Sequence, residues 1–313
     1  MGRGQRGDLS DSEWERLRPF LPVSNGRCGR WRNHRQVIDG ILHRVRTGVQ
    51  WRDLAERFGP WKTVYERHRR WSADGTWEHL LQQVQAAADA VGDVDWDIAI
   101  DSTSVRAHQH AAGARNGPPS APAASKGGDT AEHQAEPPWQ SLVDRLAEVA
   151  QEEGLGRSRG GFTSEIHLSA DGRCRPLSLL VTAGQRGDSP QFQPVLEKIR
   201  VTRLGRGRPR NKPGSVAADK AYSNRPCREY LRRRGIRHTI PEKTDSQAAR
   251  LRKGSCGGRP PGFDKDRYKK RNTVERAINK LKNHRAVATR YDKRGYVFLG
   301  TVTAAALVTW FRT

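Results

Sequence analysis

The first 91 residues carry apolar side chains three or four positions apart, which is the spacing of one face of an α-helix. Ser10 or Ser12 can cap the first helix, and Pro22 ends it because proline lacks the amide hydrogen that a helix interior requires. The predicted helices cover residues 10–21, 33–48, 63–71 and 77–90. This stretch is therefore predicted to be all-α, with glycine-containing turns between short helices.

From residue 92 onwards, short apolar runs and alternating segments replace the helical pattern. Residues 98–100 and 216–218 are typical of buried strands, and residues 165–182 of a hairpin that turns at Asp171-Gly172. Helices are predicted from Ser189, from Asn224 and over 297–311. The order hairpin, helix, strand, helix, strand, helix is that of a ribonuclease-H-like mixed sheet flanked by helices, so the fold class is predicted to be α/β.

The segment from 107 to 156 has a different composition from its surroundings. It is rich in Ala, Pro, Gly and Ser with scattered acidic residues, which is typical of a flexible insertion, with one short amphipathic helix over 139–150. The predicted domains are therefore a helical domain at 1–92 and an α/β domain at 93–313 that carries an insertion at about 107–156.

Charge points to the kind of partner. The 313 residues include 57 Lys or Arg and 34 Asp or Glu, a net charge of +23. The excess is concentrated in residues 219–294, which hold 24 basic and 8 acidic residues, whereas residues 75–156 hold 4 and 13. A polyanion, and nucleic acid in particular, is the expected partner.

The helical domain then suits a helix-turn-helix-like unit that contacts DNA, since Lys62, Arg67, Arg69 and Arg70 cluster on one short helix. A helical packing domain that never contacts DNA would show the same apolar pattern.

No apolar run approaches the ~20 residues of a membrane span, and residues 1–6 lack the apolar core of a signal peptide. Cys28, Cys174, Cys227 and Cys256 show no Cys-x-x-Cys spacing. The predicted location is the cytoplasm.

Three acidic residues suggest one metal site. Asp101 and Asp219 each follow a buried apolar run, which would deliver the carboxylates to a sheet edge. Tyr268, Arg271, Glu275 and Lys282 lie at offsets 0, 3, 7 and 14, and at about 100° per residue these share a helical stripe roughly 60° wide. Several carboxylates near one strand end are costly without a cation, and oxygen ligands suit Mg²⁺ or Mn²⁺.

Each candidate also has a purely structural interpretation. Glu275 could satisfy an amide in a capping box that begins at Asn272. Asp219 could be an exposed carboxylate at a strand end, and Asp95 and Asp97 compete with Asp101 because residues two apart share a strand face.

His108 and His110 could bind a transition metal, but no third ligand lies nearby in the sequence. The arginines of residues 206–209 could enter a minor groove or form a solvated turn. Five N-terminal tryptophans are expected in the core, with base stacking the lesser alternative.

The chain resembles the bacterial insertion-sequence DDE transposases. The Tyr-x2-Arg-x3-Glu-x6-Lys signature of these enzymes is present from Tyr268 to Lys282 without a gap. Residues 9–77 and 101–110 resemble the amino-terminal and first-aspartate segments of the insertion-sequence-five family, and residues 155–162 and 218–222 match its next two landmarks.

This resemblance implies a ribonuclease-H-like catalytic core in which Asp101, Asp219 and Glu275 are catalytic and hold two Mg²⁺ or Mn²⁺ ions. It implies cleavage of the element's terminal inverted repeats and joining of the 3′ ends to target DNA, by a homodimer that bridges two double-stranded ends. The residues expected to contact DNA are Tyr268, Arg271, Lys282, Lys220, Lys62, Arg67, Arg69 and Arg70. Two other functions remain open: a repressor-like relative that binds DNA without cutting, and a ribonuclease-H-like nuclease without strand transfer.

Overall fold

The computed structural model describes residues 7–23, 33–112, 153–158 and 160–313. Most of the predicted insertion, including the helix expected at 139–150, lies outside the described residues, as does Cys28. In the described ranges, no helix combines the length and the apolar character that crossing a bilayer requires.

The N-terminal region is helical, as the apolar pattern predicts. Its helices are α1 (Asp11–Leu17), α2 (His34–Thr47), α3 (Trp61–Ala73) and α4 (Thr76–Ala90). Ser10 forms a complete capping box with Glu13 at the start of α1. Asn33 caps α2, which ends at Gly48 with φ 71°, a left-handed conformation that glycine adopts without steric cost.

Within the part of the chain that the structure describes, seven strands form one mixed sheet. They are β1 (Asp97–Ala107), β2 (Gly156–Ser158), β3 (Gly161–Ala170), β4 (Pro176–Ala183), β5 (Ser215–Ala218), β6 (Arg237–Thr239) and β7 (Thr289–Arg290). The main path of neighbouring strands is β2-β3-β1-β5-β6, with β4 on β3 and β7 on β1. The central strand β1 is antiparallel to β3 and parallel to β5. The mixed α/β sheet is therefore confirmed.

The remaining helices flank this sheet. They are α5 (Gln109–Ala112), α6 (Phe192–Glu197), α7 (Arg225–Arg233), α8 (Thr244–Arg252), α9 (Lys265–Lys269), α10 (Asn272–Lys282), α11 (Arg285–Ala288) and α12 (Gly295–Phe311). The basic stretch before Lys270 contains α8 and α9. The hydroxyl of Ser189 does not cap a helix there and instead accepts a hydrogen bond from the side-chain amide of Asn224.

One hydrophobic core joins the N-terminal helices to the sheet. Helix α12 is buried along nearly its whole length and packs against α3, α4 and β4, because its sequence is apolar on every side. Trp71 and Trp77 are buried in this core, and Trp14, Trp51 and Trp61 pack against it with part of each ring exposed.

Beside α12 the core contains a hydrogen-bonded polar network. Arg44 on α2 forms an ion pair with Asp292, with 3.0 Å between Nη2 and Oδ1 and only 4% of either side chain exposed. Asp292 also accepts a hydrogen bond from Thr301, whose hydroxyl lies 3.1 Å from His68 Nε2 on α3. The network therefore ties the N-terminal helices to the C-terminal part of the chain.

Candidate active site

Strand pairing brings Asp101 and Asp219 together across 118 positions of sequence. Ile100 on β1 lies opposite Ala218 at the end of β5, in parallel register. Asp101 and Asp219 are the next residues along these two strands and lie side by side. Asp219 follows the end of β5, as predicted, whereas Asp101 lies within β1, opposite Leu168 of β3, and not at the strand end that the apolar run suggested. The fifth strand of the chain, β5, is a neighbour of β1 in the sheet.

Helix α10 carries Glu275 to the same edge of the sheet. Glu275 does not cap the helix: the N-cap is Arg271, and no side chain makes a capping hydrogen bond there. Instead, the Arg271 guanidinium donates one hydrogen bond to Glu275 and one to Asp101, the latter with 2.9 Å between Nη1 and Oδ2. A single cation therefore bridges two of the three predicted catalytic carboxylates.

The electrostatics of this edge disfavour an additional negative charge. Burial raises the pKa of the Asp101 carboxyl, and the charge of Asp219 raises it further, while the amide of Ser102 and the guanidinium of Arg271 act in the opposite direction. A nearby cation stabilises the adjacent carboxylates of Asp101 and Asp219, which are both partly buried. In this structure, Arg271 is the cation that lies there.

Tyr268 and Lys282 lie on different elements, contrary to the single helical stripe that their spacing predicted. Tyr268 is on α9, the chain turns at Lys270 and Arg271, and α10 begins at Asn272. The turn is tighter than an α-helix, since the Arg271 amide bonds to the Tyr268 carbonyl three residues back. Arg271 still lies over the Tyr268 ring, with 5.9 Å from Cζ to the ring centroid.

Lysine side chains border the same edge. Lys282 Nζ donates to the Ser104 carbonyl at 3.0 Å, which ties the end of α10 to β1. Lys220 is exposed directly after Asp219, and its backbone amide donates to the Asp219 carboxylate. Both lysines therefore lie beside the carboxylates, and their contact with DNA stays a prediction.

Two further acidic residues adjoin the site and were not predicted. Glu165 on β3 accepts a hydrogen bond from the Ser104 hydroxyl at 2.5 Å, and Asp188 accepts one from the Ser102 hydroxyl at 2.6 Å. Burial and the charge of Asp188 raise the pKa of Glu165. The two-residue alternation of β3 could have placed Glu165 on this face, whereas Asp188 lies in a loop that gives no such signal.

The chemistry of the donors fits a hard divalent ion. Asp101, Asp219 and Glu275 offer oxygen atoms alone, and the position between Asp101 and Glu275 already accepts a positively charged group. Among the described residues, no three His, Cys, Asp or Glu side chains lie close enough together to hold an ion as they stand. Glu275, which is half exposed on α10, is the ligand that would have to approach.

The cations predicted on the N-terminal helix α3 differ in exposure. Lys62, Arg69 and Arg70 are exposed. Arg67 is 8% exposed, its Nη1 lies 3.1 Å from His34 Nδ1, and its guanidinium lies over the Trp71 ring. The structure thus places Arg67 in the packing between α2 and α3, away from the surface that the other three share.

Family models match most of the chain. Residues 9–81 match a family described as "Putative transposase of IS4/5 family", and residues 93–309 match the "Transposase DDE domain". The chain belongs to the DDE transposases. The predicted resemblance to the insertion-sequence-five group is confirmed by these matches. No solved structure matched the chain.

Individual relatives agree with this family. The transposase chain is 30% identical over 138 residues to the "Putative transposase for insertion sequence element IS402" of Burkholderia cepacia, a match that spans 44% of this chain and 57% of that protein. It is 44% identical over 108 residues to "Uncharacterized protein y4sN" of Sinorhizobium fredii, which covers 34% of this chain and 82% of that protein. The "Insertion element IS402 uncharacterized 16.2 kDa protein" of Burkholderia cepacia is 34% identical over 109 residues, 32% of this chain and 73% of that protein.

Proposed function

We propose that this transposase cleaves the terminal inverted repeats of an insertion sequence and joins the 3′ ends to target DNA. The observation that carries the proposal is the convergence of Asp101, Asp219 and Glu275 on one sheet edge, surrounded by Arg271 and Lys282. The strand order, with a central strand antiparallel on one side and parallel on the other, supports a ribonuclease-H-like core.

Asp101, Asp219 and Glu275 would together hold two Mg²⁺ or Mn²⁺ ions. When bound, these ions supply charge neutralisation and Lewis-acid polarisation at the scissile phosphate. Asp101 and Asp219 are positioned by paired strands, so their separation is rigid. Glu275 is on a helix surface and half exposed, so its side chain can turn from Arg271 towards the strand ends.

The surrounding cations would bind DNA strands next to the cut. Arg271, once Glu275 and Asp101 turn to the metal ions, can hold a phosphate that is not cleaved, and Lys282 and Lys220 border the same path. Tyr268 would orient the strand. In-line positioning and neutralisation of phosphate charge then supply most of the rate, and no covalent protein intermediate is needed.

The two predicted domains would have different roles on DNA. Residues 1–92 would read the terminal repeats, with Lys62, Arg69 and Arg70 exposed on one helix to contact them. Residues 93–313 would cut and join, and their basic stretch at 219–294 would supply salt-sensitive affinity for the phosphate backbone. A homodimer would hold two ends of the element together.

Two other functions would leave some of these features unused. A repressor-like relative would bind ends without needing three converging carboxylates, and the site geometry favours the enzyme over it. A ribonuclease-H-like nuclease would share the carboxylates but would not join ends, so strand transfer has to be measured separately from cleavage.

The experiment compares wild type with Glu275→Gln on labelled DNA that carries the element's ends, in Mg²⁺, Mn²⁺ or EDTA. We expect metal-dependent cleavage and joining in wild type, and a loss of about 10²-fold or more in the variant while DNA binding persists. Binding without cleavage in wild type would support the repressor. Cleavage without joining would support the nuclease, and cleavage that survives Glu275→Gln would refute the assignment of this residue.

A further inference from the structure

A cavity lies outside the carboxylate site. It has a volume of about 770 Å³ and lies between the end of β1, the α2–α3 connection and the segment that precedes α12. Volumes of this size are typical of sites for small organic ligands. Its side chains combine aromatic rings with cations, and none of them belongs to the carboxylate site.

The walls present aromatic faces from three separate parts of the chain. Trp51 and Tyr65 lie together with ring centroids 5.4 Å apart, and Trp61 adds a third partly exposed ring. From a third part of the chain, Tyr291 stacks on His108 with 4.7 Å between ring centroids and 26° between planes, and 39% of Tyr291 is exposed. Flat apolar faces at these positions can stack on a planar ligand.

The cavity also carries positive charge. Arg52 is exposed, with its guanidinium 5.8 Å from the Trp61 ring, and Lys293 is exposed two residues after Tyr291. Among the other charged residues that line the cavity, Arg44 pairs with Asp292 and Arg294 with Glu153, while the carboxylate of Asp53 is exposed next to Arg52. Aromatic faces next to cations suit a ligand that joins a planar ring to an anion, and a nucleotide has that chemistry.

The position of the cavity separates it from the chemical step. His108 follows Asp101 by seven residues in continuation of β1, which at about 3.3 Å per residue places it roughly 23 Å away. A base held there is too distant to be the one whose phosphate is cut. A base inside a duplex offers only its edges, so face-to-face stacking requires a nucleotide that has left the stack.

We propose that this cavity binds one unstacked nucleotide of a DNA strand, with the base between the aromatic walls and the phosphate near Arg52 and Lys293. The proposal rests on the transposase function above, because that function supplies the DNA. The cavity then contributes affinity for distorted or partly unpaired DNA and takes no part in phosphoryl transfer.

The test uses the full chain in EDTA and a short duplex with one bulged 2-aminopurine nucleotide, compared with the same duplex fully paired. Since stacking on an aromatic side chain contributes ~1–3 kcal/mol per base, wild type should bind the bulged duplex about tenfold more tightly and quench its fluorescence. Tyr291→Ala should remove most of this preference, and Tyr291→Trp, which keeps a stacking face, should retain it. Trp61→Ala tests the aromatic ring that α3 contributes to the cavity.

Phe162→Ala is the matched control, because Phe162 is also 39% exposed and does not line the cavity. It should leave the preference for the bulge unchanged. Equal affinity of wild type for the two duplexes would overturn the inference while leaving the proposed function standing, whereas failure to bind either duplex would count against both. If adenosine monophosphate quenches tryptophan fluorescence and the bulge gives no advantage, the cavity is a free-nucleotide site and the DNA proposal is wrong.

Discussion

Arg271 is the residue whose placement differs most from its predicted role. Its sequence spacing suggested a phosphate contact, whereas the structure pairs its guanidinium with both Asp101 and Glu275. The pairing with Glu275 is a four-residue helical contact that sequence spacing allows. The pairing with Asp101 depends on the tertiary fold. Arg271 therefore neutralises the carboxylates when no metal is bound.

Arg271→Gln should destabilise the metal-free protein by about 1–3 kcal/mol, because the partly buried Asp101 and the half-exposed Glu275 lose a charged hydrogen-bond partner. Added Mg²⁺ should then raise the melting temperature more in this variant than in wild type, since metal ions no longer compete with the guanidinium. Thermal unfolding in EDTA and in Mg²⁺ measures both effects. Arg276→Gln, an exposed change on the same helix, is the control. Equal melting of Arg271→Gln and wild type in EDTA would show that the bridge contributes nothing.

At the scale of elements, α10 decides where the third carboxylate lies. Its buried face, Val274, Ala277, Ile278 and Leu281, packs on the core and fixes the rotation of the helix. Glu275 is adjacent to that face in the first turn, where a negative charge also interacts favourably with the helix dipole. The position of the carboxylate along the axis is therefore specific.

Moving the carboxylate along α10 should not restore activity. Asn279 is exposed one turn beyond Glu275, and four residues advance the helix by about 6 Å. The double variant E275Q N279E keeps the net charge of wild type but should cleave DNA no faster than E275Q, as measured by metal-dependent strand cleavage. Recovery of cleavage in the double variant would show that the site does not require the carboxylate at position 275.

At the scale of the molecule, the pair of Arg44 and Asp292 joins the N-terminal helices to the rest of the chain. Both side chains are buried, so removing one partner leaves an uncompensated charge. Asp292→Asn should lower the free energy of unfolding by about 3–5 kcal/mol, as measured with denaturant. Asp266→Asn is the control, because Asp266 is 89% exposed in its pair with Lys269 and such pairs contribute little.

Because one core spans both regions, wild type and Asp292→Asn should each unfold in a single transition. Two separate transitions in wild type would mean that residues 1–92 are stable without α12. A loss below about 1 kcal/mol in Asp292→Asn would mean that the buried pair is not needed to hold the regions together.

The sequence alone determined the elements and the kind of chemistry. Helical spacing and the cap at Ser10 predicted the N-terminal helices closely, because caps and apolar periodicity act over a few residues. Apolar runs predicted the strands that carry both aspartates and the strand end before Asp219, although Asp101 lies within its strand. The signature from Tyr268 to Lys282 identified the transposase family. These signals are local, or belong to a motif, and need no tertiary contact.

Only the tertiary structure decided which groups meet. Pairing of β1 with β5 sets the two aspartates side by side, and the turn before α10 separates Tyr268 from the helix of Glu275. Asp188, which lies in a loop, accepts a hydrogen bond from Ser102. Arg67, which the sequence predicted to contact DNA, is buried between α2 and α3. Such contacts join residues far apart in the chain, and their free energy depends on packing and burial, which a one-dimensional pattern does not contain.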